Sequence, residues 1–391
     1  MPLLISNIRL TLLCVAWVAA LVQVLSDTTS ANAESANFLN IAIIDIGVFA
    51  FIGFTILTFA RLRRDSILIL VLLTFVCWAL LDHFPDASEW AKGGRYVLIF
   101  TALLPTMALV RATASLMPSV HRTQESLAQL PASATSGGFH LAANIFGGVI
   151  NTGSLAILSA AVPSDADAER RRLAAESALR GMVTAAAWSP FFVAFAIGQA
   201  FTDKANSWIG LGIGVATTVL FALVSLPILN KDFSVARLSS ALGCLKPVTV
   251  RLVIVLGTVL AAALIFDFTA LSAVVVVMPL LVAVQFFRHP GNISTILSET
   301  KNSMIATADD ILIITMAMLI GYFATRTGAF SDLIASFYDG VIPGYVAIIL
   351  TPLGMMLASV VGVHPVISST AMLAVFSGGH ADAHPALLMQ A

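Results

Sequence analysis

Small polar side chains lie in the middle of an apolar stretch of this chain, residues 139–163. The centre of the stretch reads GGVINTGS and combines three glycines with Asn151, Thr152 and Ser154. Glycine weakens a helix, and a helix break leaves backbone N–H and C=O groups unpaired. Such groups can bind a carboxylate or a sodium ion beside amide and hydroxyl side chains. We therefore predict a substrate or ion site comprising Asn151, Thr152, Gly153 and Ser154.

A second interrupted apolar stretch lies near the end of the chain, at residues 350–376. His364 and Pro365 interrupt it. Three hydroxyl side chains follow the break, namely Ser368, Ser369 and Thr370. Broken helices at corresponding positions of two halves indicate the binding site of a transporter, so these five residues join the predicted site. His364 titrates near neutral pH and could carry a proton, and a structural, hydrogen-bonded histidine is an equal alternative.

A third break is expected in the apolar run that follows the first stretch, where the chain reads Trp188-Ser189-Pro190. Proline removes a backbone hydrogen bond, so the helix should kink or open there. Ser189 and Pro190 complete the predicted site. Asp45 is a separate candidate, because a carboxylate within a membrane span is a functional hypothesis by default. We predict no catalytic residue and no metal site.

Composition places the chain in the membrane. Hydrophobic residues make up 59% of its 391 residues and charged residues 10%, whereas a soluble domain is about half apolar and a quarter charged. The net charge of −1 does not indicate nucleic acid as a partner. We predict an all-α polytopic membrane protein with about nine spans long enough to cross about 30 Å of hydrocarbon. These are Ile8–Leu25, Phe38–Ala60, Ile67–Phe84, Arg95–Ala112, Gly181–Phe201, Trp208–Leu229, Val248–Phe266, Ala270–Phe287 and Ile305–Thr325.

The distribution of positive charge predicts the orientation. If the N-terminus is cytoplasmic and both broken stretches turn back instead of crossing, most Lys and Arg residues lie in cytoplasmic loops, as the positive-inside rule requires. The polar helix 165–180 is then cytoplasmic. This favours two re-entrant hairpins in the plasma (inner) membrane of a bacterium. The first span could instead be a cleaved signal peptide, because Ala31-Asn32-Ala33 resembles a cleavage site.

The two halves of the chain are similar at a shift of 214 residues, which relates residues 95–116 to 309–330 and Ser154 to Ser368. Because the related spans run in opposite directions in this topology, we predict inverted repeats, with chance similarity of apolar helices as the alternative. The predicted divisions are 1–90 for the first spans, 91–230 for the first repeat and 231–391 for the second. The shift carries Pro190 beyond Ala391, so we expect the last helices to be missing. Gly210 and Gly214 predict close helix packing.

This layout resembles the ion transporter superfamily, and most nearly the divalent anion/sodium symporters, from about Arg95 to the end of the chain. Each half of those proteins has a scaffold helix, a re-entrant hairpin with a Ser-Asn-Thr tip, and a helix unwound near a Thr-Pro pair. Here the first tip reads Ile150-Asn151-Thr152, and Ser189-Pro190 stands at the unwound pair. The second tip has Ser368-Ser369-Thr370 and lacks the asparagine.

The resemblance implies a secondary active transporter for a small organic anion, a carboxylate, coupled to Na⁺ or H⁺ and without another cofactor. It also implies a homodimer in the lipid bilayer whose hairpin-bearing part moves as a rigid elevator. The alternative is a proton- or sodium-coupled antiporter or efflux permease for another substrate. A membrane enzyme is a more distant alternative, since the sequence contains no P-loop, HExxH or GxSxG motif.

Overall fold

A computed structural model describes residues 2–29, 34–79, 84–151, 153–229, 234–324, 340–360, 363, 365–377 and 381–391. This part of the chain is almost entirely α-helical. Its helices are α1 (Pro2–Thr29), α2 (Glu34–Phe59), α3 (Arg64–Ala79), α4 (Ala87–Ser115), α5 (Pro118–Ala128), α6 (Ala132–Ile150), α7 (Gly153–Ser159), α8 (Ala168–Ala185), α9 (Val193–Ala200), α10 (Lys204–Leu229), α11 (Val235–Gly243), α12 (Lys246–Ile265), α13 (Ala270–Arg288), α14 (Ile293–Ala306), α15 (Ala308–Ala324), α16 (Gly344–Val360), α17 (Pro365–Ser377) and α18 (Pro385–Gln390). Two short strands, β1 (Ile342–Pro343) and β2 (Ala381–Asp382), pair in parallel.

Helix α4 forms the centre of the core, and most of its residues are buried. It begins with a capping box, in which Asp86 accepts a hydrogen bond from the Glu89 backbone and Glu89 accepts one from the Asp86 backbone. The bond from Glu89 lowers the pKa of the Asp86 carboxyl. The capping box fixes the first turn of α4, the helix against which many others pack.

Helices α14 and α15 run antiparallel to α4. At one end Arg111 of α4 donates a hydrogen bond to Ser303 of α14, and at the other the rings of Tyr96 and Tyr322 lie 5.0 Å apart. The two helices are bent by 56° where they meet, at Thr307. The scaffold on which the rest of the chain packs is therefore built from segments of both halves.

Six helices of the described chain are long and apolar enough to cross a membrane: α1, α2, α4, α10, α12 and α13. The bent pair α14–α15 makes a seventh if it is one span. Many of their large apolar side chains face outward, including Phe49, Leu223 and Ile254. These are the features of a helical membrane-embedded protein.

Three of the nine predicted spans are not among these six helices. The predicted span Gly181–Phe201 is not one helix, because the chain leaves helical geometry between α8 and α9. The predicted span Ile67–Phe84 begins in α3, and its residues 80–83 lie outside the described residues. The predicted span Ile305–Thr325 contains the bend at Thr307, and Thr325 lies outside the described residues. Hydropathy measures composition and not the continuity of backbone hydrogen bonds, so only the break expected at Ser189 and Pro190 anticipated the interruption between α8 and α9.

Asp45 forms an ion pair with Arg95. The guanidinium donates two hydrogen bonds to Asp45 Oδ1, at 2.9 and 2.7 Å, and one to Oδ2 at 2.9 Å. The side chain of Gln23 donates to the backbone carbonyl of Arg95 at 3.1 Å. This network joins α1, α2 and α4, and it gives the Asp45 carboxylate a charged hydrogen-bond partner.

The prediction of close packing at Gly210 and Gly214 is confirmed. A Cβ atom at Gly214 would overlap the carbonyl oxygen of Ala187 and lie 2.6 Å from its carbon. A Cβ at Gly210 would lie 3.2 Å from the sulfur of Met389 in α18. Helix α10 thus lies directly against both the opened segment after α8 and the last helix of the chain.

Candidate functional site

The first broken stretch forms a helical hairpin. Near the start of α6, Arg170 of α8 donates hydrogen bonds to the carbonyls of Ala128 and Leu130, at 3.2 and 2.7 Å. Near the end of α6, a Cβ at Gly147 would lie 3.3 Å from both the Met182 Cα and the Ala185 Cβ of α8. Helices α6 and α8 therefore run in the same direction, and the chain between them, which includes α7, turns back after α6 ends at Ile150.

The tip of this hairpin has an unusual backbone conformation. Asn151 has φ 58° and ψ −139°, a region that residues other than glycine rarely occupy. Its N–H donates to the Gly147 carbonyl at 2.9 Å, and its own carbonyl accepts from the Ser154 N–H at 3.0 Å. The predicted residue Thr152 lies outside the described residues. The predicted break is thus present, and its strain is held by bonds on both sides.

Gly153 and Ser154 are buried at the start of α7. A Cβ at Gly153 would overlap the Cδ of Arg111 and lie 2.8 Å from its Cγ, so a larger residue would have to displace the Arg111 side chain. The hydroxyl of Ser154 is fully buried and has no hydrogen-bond partner among the described residues. A buried hydroxyl with no partner among the described residues is a polar group with which a ligand could pair.

Of the two predicted alternatives at Ser189 and Pro190, a kink or an opening of the helix, the structure shows an opening. Helix α8 ends at Ala185, and α9 begins at Val193. The fully buried hydroxyl of Ser189 donates to the carbonyl of Gly148 in the last turn of α6 and accepts from the Phe191 N–H at 3.1 Å. Pro190 has no N–H to continue the helix. One hydroxyl therefore joins the opened segment to the hairpin.

Asn144 and Trp188 form a second link between the hairpin and the opened segment. The indole N–H of Trp188 donates to Asn144 Oδ1 at 3.3 Å, and Asn144 Nδ2 donates to Thr184 Oγ1 at 3.0 Å. The Trp188 ring covers Gly148, where a Cβ would overlap it. Sequence reasoning did not place Asn144 in the site. Asn144 lies two helical turns before Asn151 in an apolar helix, and this position could have indicated it as a site residue.

The second broken stretch also turns back. Gly354 of α16 packs against Met372 of α17. The chain that enters α16 pairs with the chain that follows α17, through Ile342 and Ala381. Of the predicted tip, His364 lies outside the described residues, and Pro365 is the first residue of α17.

The hydroxyl groups of the second hairpin bond back into their own helix. Ser368 and Ser369 donate to the Pro365 carbonyl, at 3.1 and 2.6 Å, and Thr370 donates to the Val366 carbonyl at 2.7 Å. Such bonds are ordinary for serine and threonine inside helices. Their protons are therefore engaged in this conformation, and a ligand could use only the lone pairs.

The predicted residues form two groups. Asn151, Gly153, Ser154, Ser189 and Pro190 belong to the first hairpin and the opened segment. The second group, Pro365 to Thr370, lies in α17, against which α9 packs. Thr370 and Phe201, which directly follows α9, both contact Gly321 of α15. The two groups are thus connected through α9 and α15.

A cleft of about 550 Å³ lies beside the first hairpin, between α4, α7 and α14. Arg111 and Ser303 line it together with Gly153, and Asn302 and Glu299 add an amide and a carboxylate. Ser115 donates to Glu299 at 3.4 Å. Arg111, which the sequence-based site did not include, brings a positive charge to the start of α7.

A scan against protein-family models and searches of curated proteins and of solved structures found no match to this chain.

Proposed function

We propose that this protein is a secondary active transporter for a small organic anion, a carboxylate, and that transport is driven by a Na⁺ or H⁺ gradient. The observation that supports this best is the hydrogen bond from Ser189 to Gly148. It joins two interruptions of helical backbone within an apolar bundle. Non-helical backbone in a membrane is tolerated only where protein covers it or a water-filled cavity adjoins it, and transporter sites are typically formed by discontinuous helices.

The anion is proposed to bind at the first tip. The Arg111 guanidinium can form charge-assisted hydrogen bonds to a carboxylate, and the hydroxyl of Ser154, which has no partner among the described residues, offers a further donor. Backbone carbonyls near Asn151 are suitable ligands for Na⁺. Glu299 in the adjoining cleft disfavours a second negative charge on that side of the ligand.

The arrangement of the halves supports an inverted repeat. The antiparallel packing of α4 on α14 and α15 is what inverted halves require. The shift of 214 residues carries the first break, at residue 151, to Pro365, where α17 begins. We propose two re-entrant hairpins in a homodimeric plasma-membrane protein of a bacterium, with the N-terminus in the cytoplasm.

Transport in proteoliposomes tests the proposed function. Purified protein should take up radiolabelled dicarboxylates or monocarboxylates when an inward Na⁺ or H⁺ gradient is imposed, and dissipating both gradients should stop uptake. Counterflow without net gradient-driven uptake would favour an antiporter. Absence of both, for a panel of carboxylates, would exclude the proposal.

Thiol labelling tests the proposed topology. In a background without native cysteines, Ala175→Cys, which is exposed on α8, should resist impermeant thiol reagents added outside intact cells. Lys92→Cys, exposed near the start of α4, should react rapidly. Rapid labelling at both positions would mean that the first hairpin segment crosses the membrane, and would remove the inverted repeat.

Asn151→Gly is expected to separate stability from transport. Glycine adopts φ 58°, ψ −139° without the strain that asparagine bears, which is of order 1–3 kcal/mol. The variant should therefore unfold at an equal or higher temperature while losing most of its uptake, because the amide is removed from the tip. Thermal unfolding and uptake of the same preparation measure the two effects. Uptake equal to that of the parent would exclude the amide from the site.

A further inference from the structure

A second cavity, of about 320 Å³, lies between α4, α6, α12 and α13. Its walls include Phe146 and Ile150 of the first hairpin, and Met278 and Val282 of α13. Its volume is at the lower end of the range for small-molecule sites. The proposed anion site does not include it, because its walls are the apolar residues of the hairpin and of the surrounding helices.

One end of this cavity is positively charged. Arg251 and Arg288 line it there, together with His289 and Gln285. Arg251 donates to Ser119 at 2.8 Å, which holds its guanidinium at the start of α12. The residues that line the cavity, all of them in the described chain, include neither aspartate nor glutamate. A ligand group at this end should therefore be anionic.

The rest of the cavity is apolar and long. Its lining on α13 extends from Arg288 to Met278, ten residues, which corresponds to roughly 15 Å along the helix. Ile254 and Val284 also line it and are 55% and 46% exposed on the outer apolar surface. A compact soluble anion would lose hydration against these walls without gaining polar contacts. A ligand with an anionic head group and a chain of methylene groups matches the charged end and the apolar remainder of the cavity.

We propose that this cavity binds an anionic phospholipid of the surrounding bilayer. The phosphate lies between Arg251 and Arg288, and one acyl chain extends along α6 toward Ile150. Basic pockets between membrane helices are known to bind anionic lipid head groups. The exposed side chains of Ile254 and Val284 give the chain access from the bilayer. This site does not depend on which solute the protein transports.

Thermal unfolding of the purified full-length chain in detergent tests the proposal. Phosphatidylglycerol at about a hundredfold excess over its Kd should raise the Tm by roughly 3 °C. Phosphatidylcholine with the same acyl chains and inorganic phosphate should not. In native mass spectrometry, Arg251→Gln combined with Arg288→Gln should weaken phosphatidylglycerol binding about thirtyfold. Arg122→Gln, at an exposed position of α5 outside the cavity lining, is the matched control and should bind as the parent does.

Three results would overturn the proposal. Equal stabilisation by phosphatidylcholine would show that the head group is not recognised. Equal stabilisation by inorganic phosphate would show a site for free anions. Unchanged lipid binding in the double variant would place the lipid elsewhere. If the double variant does not fold, the single variant Arg288→Gln, at the exposed end of α13, replaces it. Phosphatidylglycerol binding equal to that of Arg122→Gln would then overturn the proposal.

Discussion

Gly181→Ala is expected to destabilise the protein severely and to abolish the folded hairpin. A Cβ at this position would overlap the backbone carbonyl oxygen of His140 and lie 2.9 Å from its carbon. Backbone atoms cannot move aside as a flexible side chain can, so α8 must separate from α6. Overpacking in a core destabilises a protein by about 1–3 kcal/mol and occasionally more. We expect a destabilisation at the upper end of this range, because α6 and α8 form the most extensive helix pair of the described chain.

Gly137→Ala is the matched control, since it makes the same substitution in the helix that α8 packs against. A Cβ at Gly137 meets no atom within 4 Å. Alanine is favoured over glycine in a helix by about 1 kcal/mol, so this variant should be as stable as the parent or more so. Thermal unfolding of both variants measures the difference. Equal Tm values for the two would contradict the close parallel packing of α6 and α8.

Ser189→Ala is expected to abolish transport at the proposed site. The substitution removes the donor to the Gly148 carbonyl and the acceptor of the Phe191 N–H, both within a fully buried environment. Each buried group left unpaired costs about 1–3 kcal/mol. The opened segment should therefore lose its fixed position against the hairpin. Uptake should fall at least a hundredfold, measured on protein that is shown to be folded by its elution from a sizing column.

Ser159→Ala provides the comparison for this variant. Ser159 is exposed at the end of α7, and its hydroxyl bonds only to the carbonyl of Ala156, at 2.8 Å, among the described residues. Transport should be unchanged. If Ser189→Ala and Ser159→Ala transport equally well, the link between the hairpin and the opened segment has no part in transport, and the central support for the proposed function is lost.

Local chemistry determined where the helices break. The glycines and the small polar residues around Asn151 weaken the helix within a few residues of the observed break. Pro190 lacks the N–H that a helix needs, and the helix opens beside it. Composition likewise determined the all-helical, membrane-embedded class. These features depend on residues close together in sequence, so the sequence was sufficient to predict them.

Only the tertiary structure decided what the broken segments contact. Ser189 bonds to a carbonyl 41 residues away, and Arg111 bonds to Ser303 at a separation of 192 residues. The three hydroxyls of α17 donate to carbonyls of their own helix, which depends on their orientation in the formed helix. Side-chain partners depend on which helix faces are packed together. That packing is set by the shapes of the helix surfaces and by close approach at glycines such as Gly153 and Gly181. A pattern of residue types along the sequence does not encode these contacts.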